Sequence, residues 1–443
     1  MKITFILPAI GKKQGEKYIG TWKMEPLTIA VLKSLTPKDV ETELFDDRIE
    51  LIDYDTKTDL VAITVETYTA KRSYAIAAEF RKRGVPVVLG GYHITLFPDE
   101  ALNVADAIIT GNAENVWGKM LEDFRKNRLQ KLYKGDVAYK NTAPDKSIFA
   151  GKKYLPISLV ETGRGCCHSC EFCSISSYYG CKYFKREHGS IIADIQNSKN
   201  KYHFFVDDNL IADRQNAKTL FEEITPLKIK WAGQGTLAMA KDEQLLKLMK
   251  KSGCELILIG FESLEEESLK QMNKAWNKSV GERDELVKRI HDAGIGIYAT
   301  FVFGYDGDTE KTFENTIEFA KKHSFYTAAF NHLLPFPGTS LYDRLKEQKR
   351  LLYDKWWLEE GYNYGELAFK PKNKSAEEVS RLCRSARKEF ARLPVVLKRG
   401  LSSMKRSSPL MWSLFWAMNL RLGEEIDEKM NVPIGGNLDE FPK

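Results

Sequence analysis

Three cysteines stand close together in one short stretch of the chain. Cys166, Cys170 and Cys173 have the spacing Cys-x3-Cys-x2-Cys, and they follow an apolar run, residues 155–160, that predicts a strand. Gly163 and Gly165 leave the backbone before the cysteines free to turn tightly. Three thiolates on one short loop suit one face of an iron–sulfur cluster and leave one iron for an outside ligand. The stretch therefore predicts a metal cluster.

Two other interpretations of these cysteines stay open at this point. Zinc is one, because Cys-x2-Cys pairs favour it and His168 or Cys181 would complete four ligands. A different first cysteine is the other, since Cys167 gives the spacing Cys-x2-Cys-x2-Cys. A disulfide knot is not expected, because nothing in the sequence indicates secretion.

The cysteine loop resembles the motif of the radical S-adenosylmethionine (SAM) enzymes, and Phe172, the aromatic residue before the last cysteine, matches that motif too. The resemblance favours Cys166 over Cys167 as the first ligand. It implies that Cys166, Cys170 and Cys173 hold a [4Fe–4S] cluster whose fourth iron chelates SAM, with Phe172 beside it. Electron transfer then cleaves SAM to a 5′-deoxyadenosyl radical.

Composition is that of an ordinary globular protein, with 43% hydrophobic and 29% charged residues among 443. Four of the seven cysteines lie at positions 166–173 and residues 1–165 contain none, which is typical of a reducing compartment. The apolar start, residues 3–7, is too short for a signal peptide, and no run approaches the roughly 20 apolar residues that span a bilayer. We therefore expect a cytoplasmic protein.

The first third of the chain alternates strand and helix patterns. Predicted strands are 3–7, 40–45, 60–65, 85–90 and 107–110, and predicted helices are 26–34, 70–83, 98–103 and 113–127. This alternation predicts a doubly wound parallel sheet, of the Rossmann or flavodoxin-like kind, with ligands at the carboxyl ends of its strands. Gly90-Gly91 and Gly111 follow two of those strands. They either let a ligand approach the backbone or make plain turns.

Residues 1–137 resemble the cobalamin-binding domain that precedes the radical SAM domain in the B12-dependent radical SAM family. The matching pieces are residues 45–48, 59–64, 77–84 and 88–95. The resemblance implies that a set of residues lines the corrin and nucleotide tail, namely Thr64, Thr67, Gly90, Gly91, His93 and Gly111. The loop 9–26 departs from many cobalamin modules because it has no histidine, so a lower histidine ligand to cobalt is not expected. His93 has a second interpretation, as a loop residue hydrogen-bonded near the tail.

After a linker, residues 138–154, the pattern repeats strand then helix about six times between residues 155 and 345. Predicted strands are 157–162, 202–206, 228–233, 256–260, 296–303 and 328–334. Such repeats predict a partial (β/α)6 barrel with its active site at the carboxyl ends of the strands, where the cysteine loop also lies.

Polar residues follow the other predicted strands, and the family resemblance implies SAM contacts for them. The set comprises Asp207, Asp208, Gln234, Glu262, Gly304 and Asp306. Each has a simpler alternative, because aspartate or glutamate after a strand often caps the next helix. Five successive strand ends with polar groups are more than a barrel needs for its own stability.

Residues 346–443 predict a mainly helical extension. The segment from Arg381 to Arg421 carries ten Lys or Arg and one acid, Glu389, although the whole chain has a net charge of only +6. Its apolar run, 409–420, predicts either a lid helix on the barrel mouth or an interfacial helix, with peripheral membrane contact through 398–421. Nucleic-acid binding is not expected, since no RNA-binding module is visible.

Together these features predict a cobalamin-dependent radical SAM C-methyltransferase that acts on an unactivated carbon of a small molecule, of the lipid or pigment kind. The cofactors would be a [4Fe–4S] cluster, SAM and cobalamin, with an electron donor such as flavodoxin or ferredoxin. Alternatives are a B12-dependent radical SAM cyclase or rearrangement enzyme, and a cobalamin or redox sensor without turnover. A methylthiotransferase is excluded because residues 1–165 lack cysteines for a second cluster.

Overall fold

The computed structural model describes residues 1–16, 23–138, 141–275, 283–404 and 406–438. Within these ranges the N-terminal part forms a six-stranded parallel sheet in the order β2-β1-β3-β4-β5-β6. Its strands are β1 Lys2–Leu7, β2 Glu41–Asp46, β3 Leu60–Thr64, β4 Val87–Gly90, β5 Ala107–Thr110 and β6 Leu132–Lys134. Its helices are α1 Leu27–Leu35, α2 Ala70–Lys82, α3 Tyr92–Leu96, α4 Pro98–Ala101 and α5 Trp117–Arg125.

This sheet confirms the predicted doubly wound fold. The order 2-1-3-4-5 is flavodoxin-like, and the chain reverses direction across the sheet between β1 and β3, where ligands bind in such folds. The sheet is packed on both faces, as two neighbouring residues of β1 show. Phe5 belongs to the hydrophobic core on one face, and Ile6 belongs to the core on the other. β6 was not predicted, since three residues with one buried side chain carry too little periodicity.

The middle of the chain forms a second six-stranded parallel sheet, in the order β7-β10-β11-β12-β13-β14 within the described ranges. Its strands, together with the short antiparallel hairpin β8-β9, are β7 Ile157–Val160, β8 Gly163–Gly165, β9 Tyr183–Lys185, β10 Tyr202–Phe205, β11 Lys230–Gly235, β12 Cys254–Glu262, β13 Gly296–Phe303 and β14 Thr327–His332. The helices are α6 Ser174–Tyr179, α7 His188–Asn197, α8 Arg214–Ile224, α9 Glu243–Lys251, α10 Glu266–Gln271, α11 Arg283–Asp292, α12 Glu310–Lys322 and α13 Ser340–Glu347.

The two faces of this sheet differ in burial, as a barrel requires. On one face Phe261, Phe301 and Phe330 stack across neighbouring strands with ring centroids 5.6 Å apart, under the outer helices. Alternate residues such as Leu258 and Thr300 are only half-buried and line the interior. The sheet thus confirms the predicted partial (β/α)6 barrel.

The C-terminal part is mainly helical, as predicted, with α14 Ala376–Phe390, α15 Leu393–Met404 and α16 Pro409–Lys429 and a two-stranded ribbon of β15 Asn363–Tyr364 and β16 Val432–Pro433. Arg387 of α14 donates from Nε to the carbonyl of Phe330 at 2.8 Å and so covers the free edge of β14. Among the described helices, none combines the length and the apolar composition that a membrane span needs.

The lid prediction for the apolar segment 409–420 is wrong. Phe415 of α16 packs on Tyr326, which immediately precedes β14, and the backbone N–H of Ser408 donates to Glu255 near the start of β12. The apolar first half of α16 therefore lies at the amino ends of the barrel strands, whereas near its last turn Lys13, in the loop after β1, donates to the carbonyl of Asp427 at 2.7 Å. The companion helix α15 reaches the amino ends of the strands through Arg399, which donates to the carbonyls of Phe325 and Tyr326.

Candidate functional site

The cysteine loop lies where the carboxyl ends of the two parallel sheets meet. Tyr92, at the start of α3, packs on Tyr178 of α6 with ring centroids 4.8 Å apart and ring planes tilted by 50°, and the Tyr178 hydroxyl donates to Asn112 after β5 at 3.1 Å. Arg164 in the cysteine loop binds Glu114 of the N-terminal domain at 2.6 Å. Any ligand held by both domains would therefore sit beside the three thiols.

The loop itself is held in shape by its short hairpin. Gly165 has φ +85° in β8, and a Cβ there would lie 2.2 Å from the carbonyl of Lys182, so the close approach of the two strands needs glycine. Cys166, Cys170 and Cys173 are free and half-buried, whereas Cys167 is exposed. The loop thus turns three thiols inward and one outward.

The three inward thiols lie close enough to affect one another's ionisation. Burial raises the pKa of the Cys166 thiol, and the neighbouring Cys167 and Cys173 raise it further. Burial raises the pKa of Cys170 to about 12, with Lys274 opposing the shift. Within the described ranges no three His, Cys, Asp or Glu side chains lie as close together as the ligands of a single metal ion. Three converging thiols fit the predicted iron–sulfur cluster.

Asp207 and Asp208 brace this loop instead of capping a helix. Both oxygens of the buried Asp207 accept hydrogen bonds from Thr162, and Asp208 accepts one from the backbone N–H of Gly165 at 3.2 Å. The following helix, α8, is capped by Asp213. Burial raises the pKa of Asp207 to about 7 and that of Asp208 to about 6. The prediction that either contacts SAM remains untested, and the structure gives both a positioning role.

Glu262 ends β12 in a left-handed conformation with φ +62°, beside a shift in the β12–β13 register. Its carboxylate is buried and lies 2.8 Å from Nζ of Lys274. A bulge at a strand end commonly re-aims a side chain, and Glu262 stands at this irregularity with its carboxylate on Lys274. The helix-cap alternative does not apply, because the side chain binds Lys274.

The remaining predicted SAM residues differ in how strongly other residues of the protein hold them. Gly304 has φ +117° after β13, and Asp308 fixes it by accepting from its N–H at 2.7 Å. Asp306 is engaged by Arg350 at 2.7 Å and Lys372 at 3.0 Å, and although burial raises its pKa, these cations lower it to about 2. Asp306 therefore reaches SAM only by giving up an ion pair. Two others lie near the mouth: Gln234 on β11 and Phe172, half-buried against the barrel core.

The predicted cobalamin residues stand at the carboxyl ends of three neighbouring strands. Thr64 ends β3, Gly90 ends β4, and Gly111 follows β5. A Cβ on Gly91 would lie 2.6 Å from the carbonyl of Val65, and one on Gly111 would lie 2.5 Å from that of Gly135, so both glycines allow backbones to approach within the domain. A Cβ on Gly90 would meet nothing closer than 3.7 Å, which leaves its Cα free to face a ligand.

His93 is fully buried, and both of its ring nitrogens are engaged. Nδ1 lies 3.2 Å from the hydroxyl of Thr67, and Nε2 lies 3.2 Å from Glu100, which also accepts from the indole of Trp357. These contacts favour the second interpretation, a loop residue hydrogen-bonded within the domain. A ligand contact would require Thr67 or His93 to release its partner.

Sequence reasoning missed several residues of the site because their partners lie far away in the chain. Asn209 is buried, its amide nitrogen lies 3.9 Å from the Cys166 sulfur, and its amide oxygen has no hydrogen-bond partner within the described chain. Arg164, Glu114 and Lys274 were likewise not singled out. Their positions follow no local spacing rule, so only the tertiary structure could reveal them.

Comparison with known proteins agrees with this geometry. Residues 160–320 match the Radical SAM superfamily. Bacteriochlorophyllide d C-12(1)-methyltransferase of Chlorobaculum tepidum is 30% identical, and the match covers 88% of this chain and 86% of that protein. Bacteriochlorophyllide d C-8(2)-methyltransferase of the same organism is 31% identical, and the match covers 78% of this chain and 80% of that protein. The chain matches the structure of the radical SAM methyltransferase TsrM from Kitasatospora setae, solved with cobalamin and a [4Fe–4S] cluster, with a TM-score of 0.67, 14% identity, and 96% and 99% coverage of the two chains.

The barrel and its cysteine loop define a radical SAM enzyme. The N-terminal parallel sheet is the domain that distinguishes the cobalamin-dependent members of this class. The chain belongs to the cobalamin-dependent radical SAM methyltransferases. Family membership confirms the predicted cofactors, a [4Fe–4S] cluster, SAM and cobalamin, and the predicted reaction, C-methylation of a small molecule. The individual binding residues and domain boundaries stay predictions.

Proposed function

We propose that this enzyme methylates an unactivated carbon on the periphery of a tetrapyrrole pigment. The observation that carries the proposal is the match to two bacteriochlorophyllide d methyltransferases along most of both chains, which includes the strand ends where substrate would bind. A flat pigment suits a site between two sheets whose carboxyl ends face each other.

We assign the cofactors to the residues predicted from the sequence. Cys166, Cys170 and Cys173 hold the cluster, and the carboxyl ends of β3, β4 and β5 hold cobalamin, with Gly90 as the open position. When bound, these groups supply the radical that removes a hydrogen atom and the methyl group that replaces it. Supporting this assignment, the segments after β4 and β5 contact the elements on either side of the cysteines, Tyr92 packing on Tyr178 of α6 and Glu114 binding Arg164 of β8.

The protein's own residues hold the site rigid and exclude water from it. Thr162 and Gly165 are fixed by the two aspartates, and Tyr92 and Tyr178 close the contact between domains. Glu262 presents a carboxylate at the mouth for the ribose hydroxyls of SAM. We further propose domain bounds of 1–137, 155–345 and 346–443. Tyr154, at the end of the segment 138–154, donates to Asp46 of the first domain at 2.9 Å, whereas Asn141 donates to Glu187 before α7 of the barrel at 2.7 Å.

The test combines metal content with product analysis. Variants C166A, C170A and C173A, reconstituted anaerobically, should each lose most of the iron, whereas C167A, the exposed neighbour, should keep it. The wild type with SAM, cobalamin, reductant and a bacteriochlorophyllide should release 5′-deoxyadenosine and a pigment heavier by one CH2. A product with a new ring and no added carbon would instead favour a cyclase. Iron retained by C170A would rule out the cluster assignment.

We propose that a flavodoxin or ferredoxin delivers the electron at the β8-β9 hairpin. Lys182 and Lys185 are exposed there, next to the cysteine loop, and offer positive charge to an acidic donor. Replacing both with Glu should slow reduction of the cluster by the protein donor but leave reduction by dithionite unchanged. Equal rates with the protein donor would rule out this docking position.

We also propose peripheral membrane contact at the cytoplasmic face through helices α15 and α16. Four exposed residues share one side of α15 at helical spacing, namely Leu393, Leu397, Leu401 and Met404, and Leu410 and Leu414 extend the surface on α16. Residues 390–423 contain six basic residues and no acid, and although Arg399 is buried, the positive charge of the others suits anionic lipid. Of the predicted basic pairs, Lys405 lies outside the described residues.

Sedimentation with vesicles tests this contact. The wild type should co-sediment with phosphatidylglycerol vesicles and far less with phosphatidylcholine vesicles, and a variant with Leu393, Leu397 and Leu401 changed to Gln should remain in solution. The matched control changes Leu155 and Leu352, which are exposed elsewhere, to Gln. Binding of the triple variant equal to that of the control would contradict the proposal.

A further inference from the structure

Three consecutive residues, Met272, Asn273 and Lys274, fasten the cysteine loop from the side of β12. The carbonyl of Met272 accepts from the backbone N–H of Glu171 at 3.1 Å. The amide of Asn273 donates to both the carbonyl and the hydroxyl of Ser169, at 2.9 and 2.7 Å, and Asn273 itself has φ +56°. The segment therefore binds the loop between its first and last cysteines.

Lys274 brings a positive charge into this contact. Its side chain is 9% exposed, and Nζ lies 2.8 Å from Oε1 of Glu262 and 3.1 Å from the carbonyl of Gly260. A buried ammonium is stable only with anionic or polar partners around it. Besides Glu262, the groups that interact with its charge are Cys170, Cys173 and His168. The ammonium thus binds the carboxylate at the strand end and interacts electrostatically with the thiols of the loop, which the neighbouring residues Met272 and Asn273 hold by hydrogen bonds.

The surrounding backbone is shaped to make room for this pair. A Cβ on Gly260 would lie 2.2 Å from Oε1 of Glu262 and 3.1 Å from Nζ of Lys274. Glu262 adopts its left-handed conformation at the register shift of β12, which carries a conformational cost for a non-glycine residue. Such a strained arrangement persists only where the contacts that surround it hold it in place.

We propose that Lys274 is a positioning residue whose permanent charge raises the reduction potential of the cluster and holds Glu262 ready for SAM. The proposal rests on the proposed function, because it takes Cys166, Cys170 and Cys173 as the cluster ligands. Adding an electron makes a thiolate-bound cluster more negative, and a nearby cation in a protein interior favours the more negative form. The ion pair with Glu262 extends this influence to the place where the ribose of SAM would lie.

Two variants with opposite expected shifts test the charge. K274M removes the cation and should move the midpoint potential of the cluster, measured by EPR-monitored titration without SAM, to more negative values. E262Q removes the competing anion and should move it to more positive values. In K274M the dissociation constant of SAM should rise about tenfold, by loss of about 1.4 kcal/mol. K274R should stay near the wild type.

The control is K270M, since Lys270 is exposed on α10 and pairs only with Glu267 in the described chain. K270M should leave both the midpoint potential of the cluster and the affinity for SAM unchanged. The proposal would be falsified if the midpoint potential shifted in the same direction in K274M and E262Q, or if it shifted in neither while both kept their full iron content. Opposite shifts follow from the opposite charges that the two variants remove, whereas damage to the fold would not depend on the sign of the charge. If C170A also kept its iron, the cluster assignment itself would be wrong, which separates the two failures.

Discussion

Thr162 donates two hydrogen bonds to Asp207, one from its backbone N–H at 2.9 Å and one from its hydroxyl at 2.6 Å. Asp207 follows β10 and Thr162 follows β7, so the pair ties two neighbouring strand ends together. Because Thr162 begins the turn into the cysteine loop, the aspartate fixes the backbone from which the thiols project.

The first prediction concerns the pH dependence of stability. Burial raises the pKa of Asp207 from 3.8 to about 7, and the carboxylates of Glu161 and Asp208 add to the effect. Between these two values the folded state binds more protons than the unfolded state, so the free energy of unfolding falls as pH rises through this window. Each unit of pKa difference corresponds to about 1.4 kcal/mol. Asp207→Asn cannot ionise and removes this contribution.

Denaturant unfolding of the metal-free protein at about pH 5 and about pH 8 measures the effect. The variant should gain stability relative to the wild type at the higher pH, and the Thr162 hydroxyl can rotate to accept from the new amide. The same difference between variant and wild type at both pH values would contradict the assignment.

The second prediction concerns the ion pair between domains. Arg164 binds Glu114 at 2.6 Å and Glu161 at 2.8 Å, and all three side chains are largely buried. Arg164→Met leaves two buried carboxylates without their cation and should cost about 3–5 kcal/mol. Arg125→Met removes an exposed ion pair with Asp39 and should cost under about 1 kcal/mol. If chemical denaturation gave the same loss of stability for both variants, the buried inter-domain ion pair would contribute no more than the exposed one.

The third prediction separates two adjacent glycines. Gly91 has φ +110° and its Cβ would collide with Val65, so Gly91→Ala should lower stability by about 2–3 kcal/mol. Gly90→Ala has room and should unfold like the wild type while binding cobalamin more weakly, if its Cα faces the ligand. Thermal unfolding and equilibrium dialysis with cobalamin measure the two effects. Unchanged cobalamin affinity in Gly90→Ala would remove Gly90 from the site.

The fourth prediction concerns the C-terminal segment, which returns to the loop after β1. Gly435 donates to the carbonyl of Ile10 at 2.6 Å, and Lys12 donates from its N–H to Gly436 at 3.2 Å. Ile434 and Leu438 are buried. Truncation after Asn431 should therefore lower Tm and loosen the loop 8–13, as hydrogen exchange would show. Truncation after Leu438 removes none of these contacts and serves as the control; similar Tm values for both would contradict the prediction.

Much of the fold followed from local patterns. Buried parallel strands such as β1 and β13 carry long apolar runs, and α14 begins where Ser375 caps it, so their positions were predicted to within a few residues. The hairpin β8-β9 and strand β6 were missed because three-residue strands bury too little to leave a pattern. The lid prediction was wrong because the apolar residues of a helix indicate that it is buried, but they do not indicate which part of the protein it packs against.

The sequence by itself determined the chemistry of this protein, because ligand type and spacing are local properties: three thiols in eight residues can meet one cluster wherever the loop lies. The tertiary structure decided what surrounds that chemistry. It engaged Asp207 as a brace for the cysteine loop, set Lys274 against Glu262, and placed the apolar first half of α16 at the amino ends of the barrel strands. Those contacts join residues far apart in the chain, and their free energies depend on burial and charge that only the folded molecule defines.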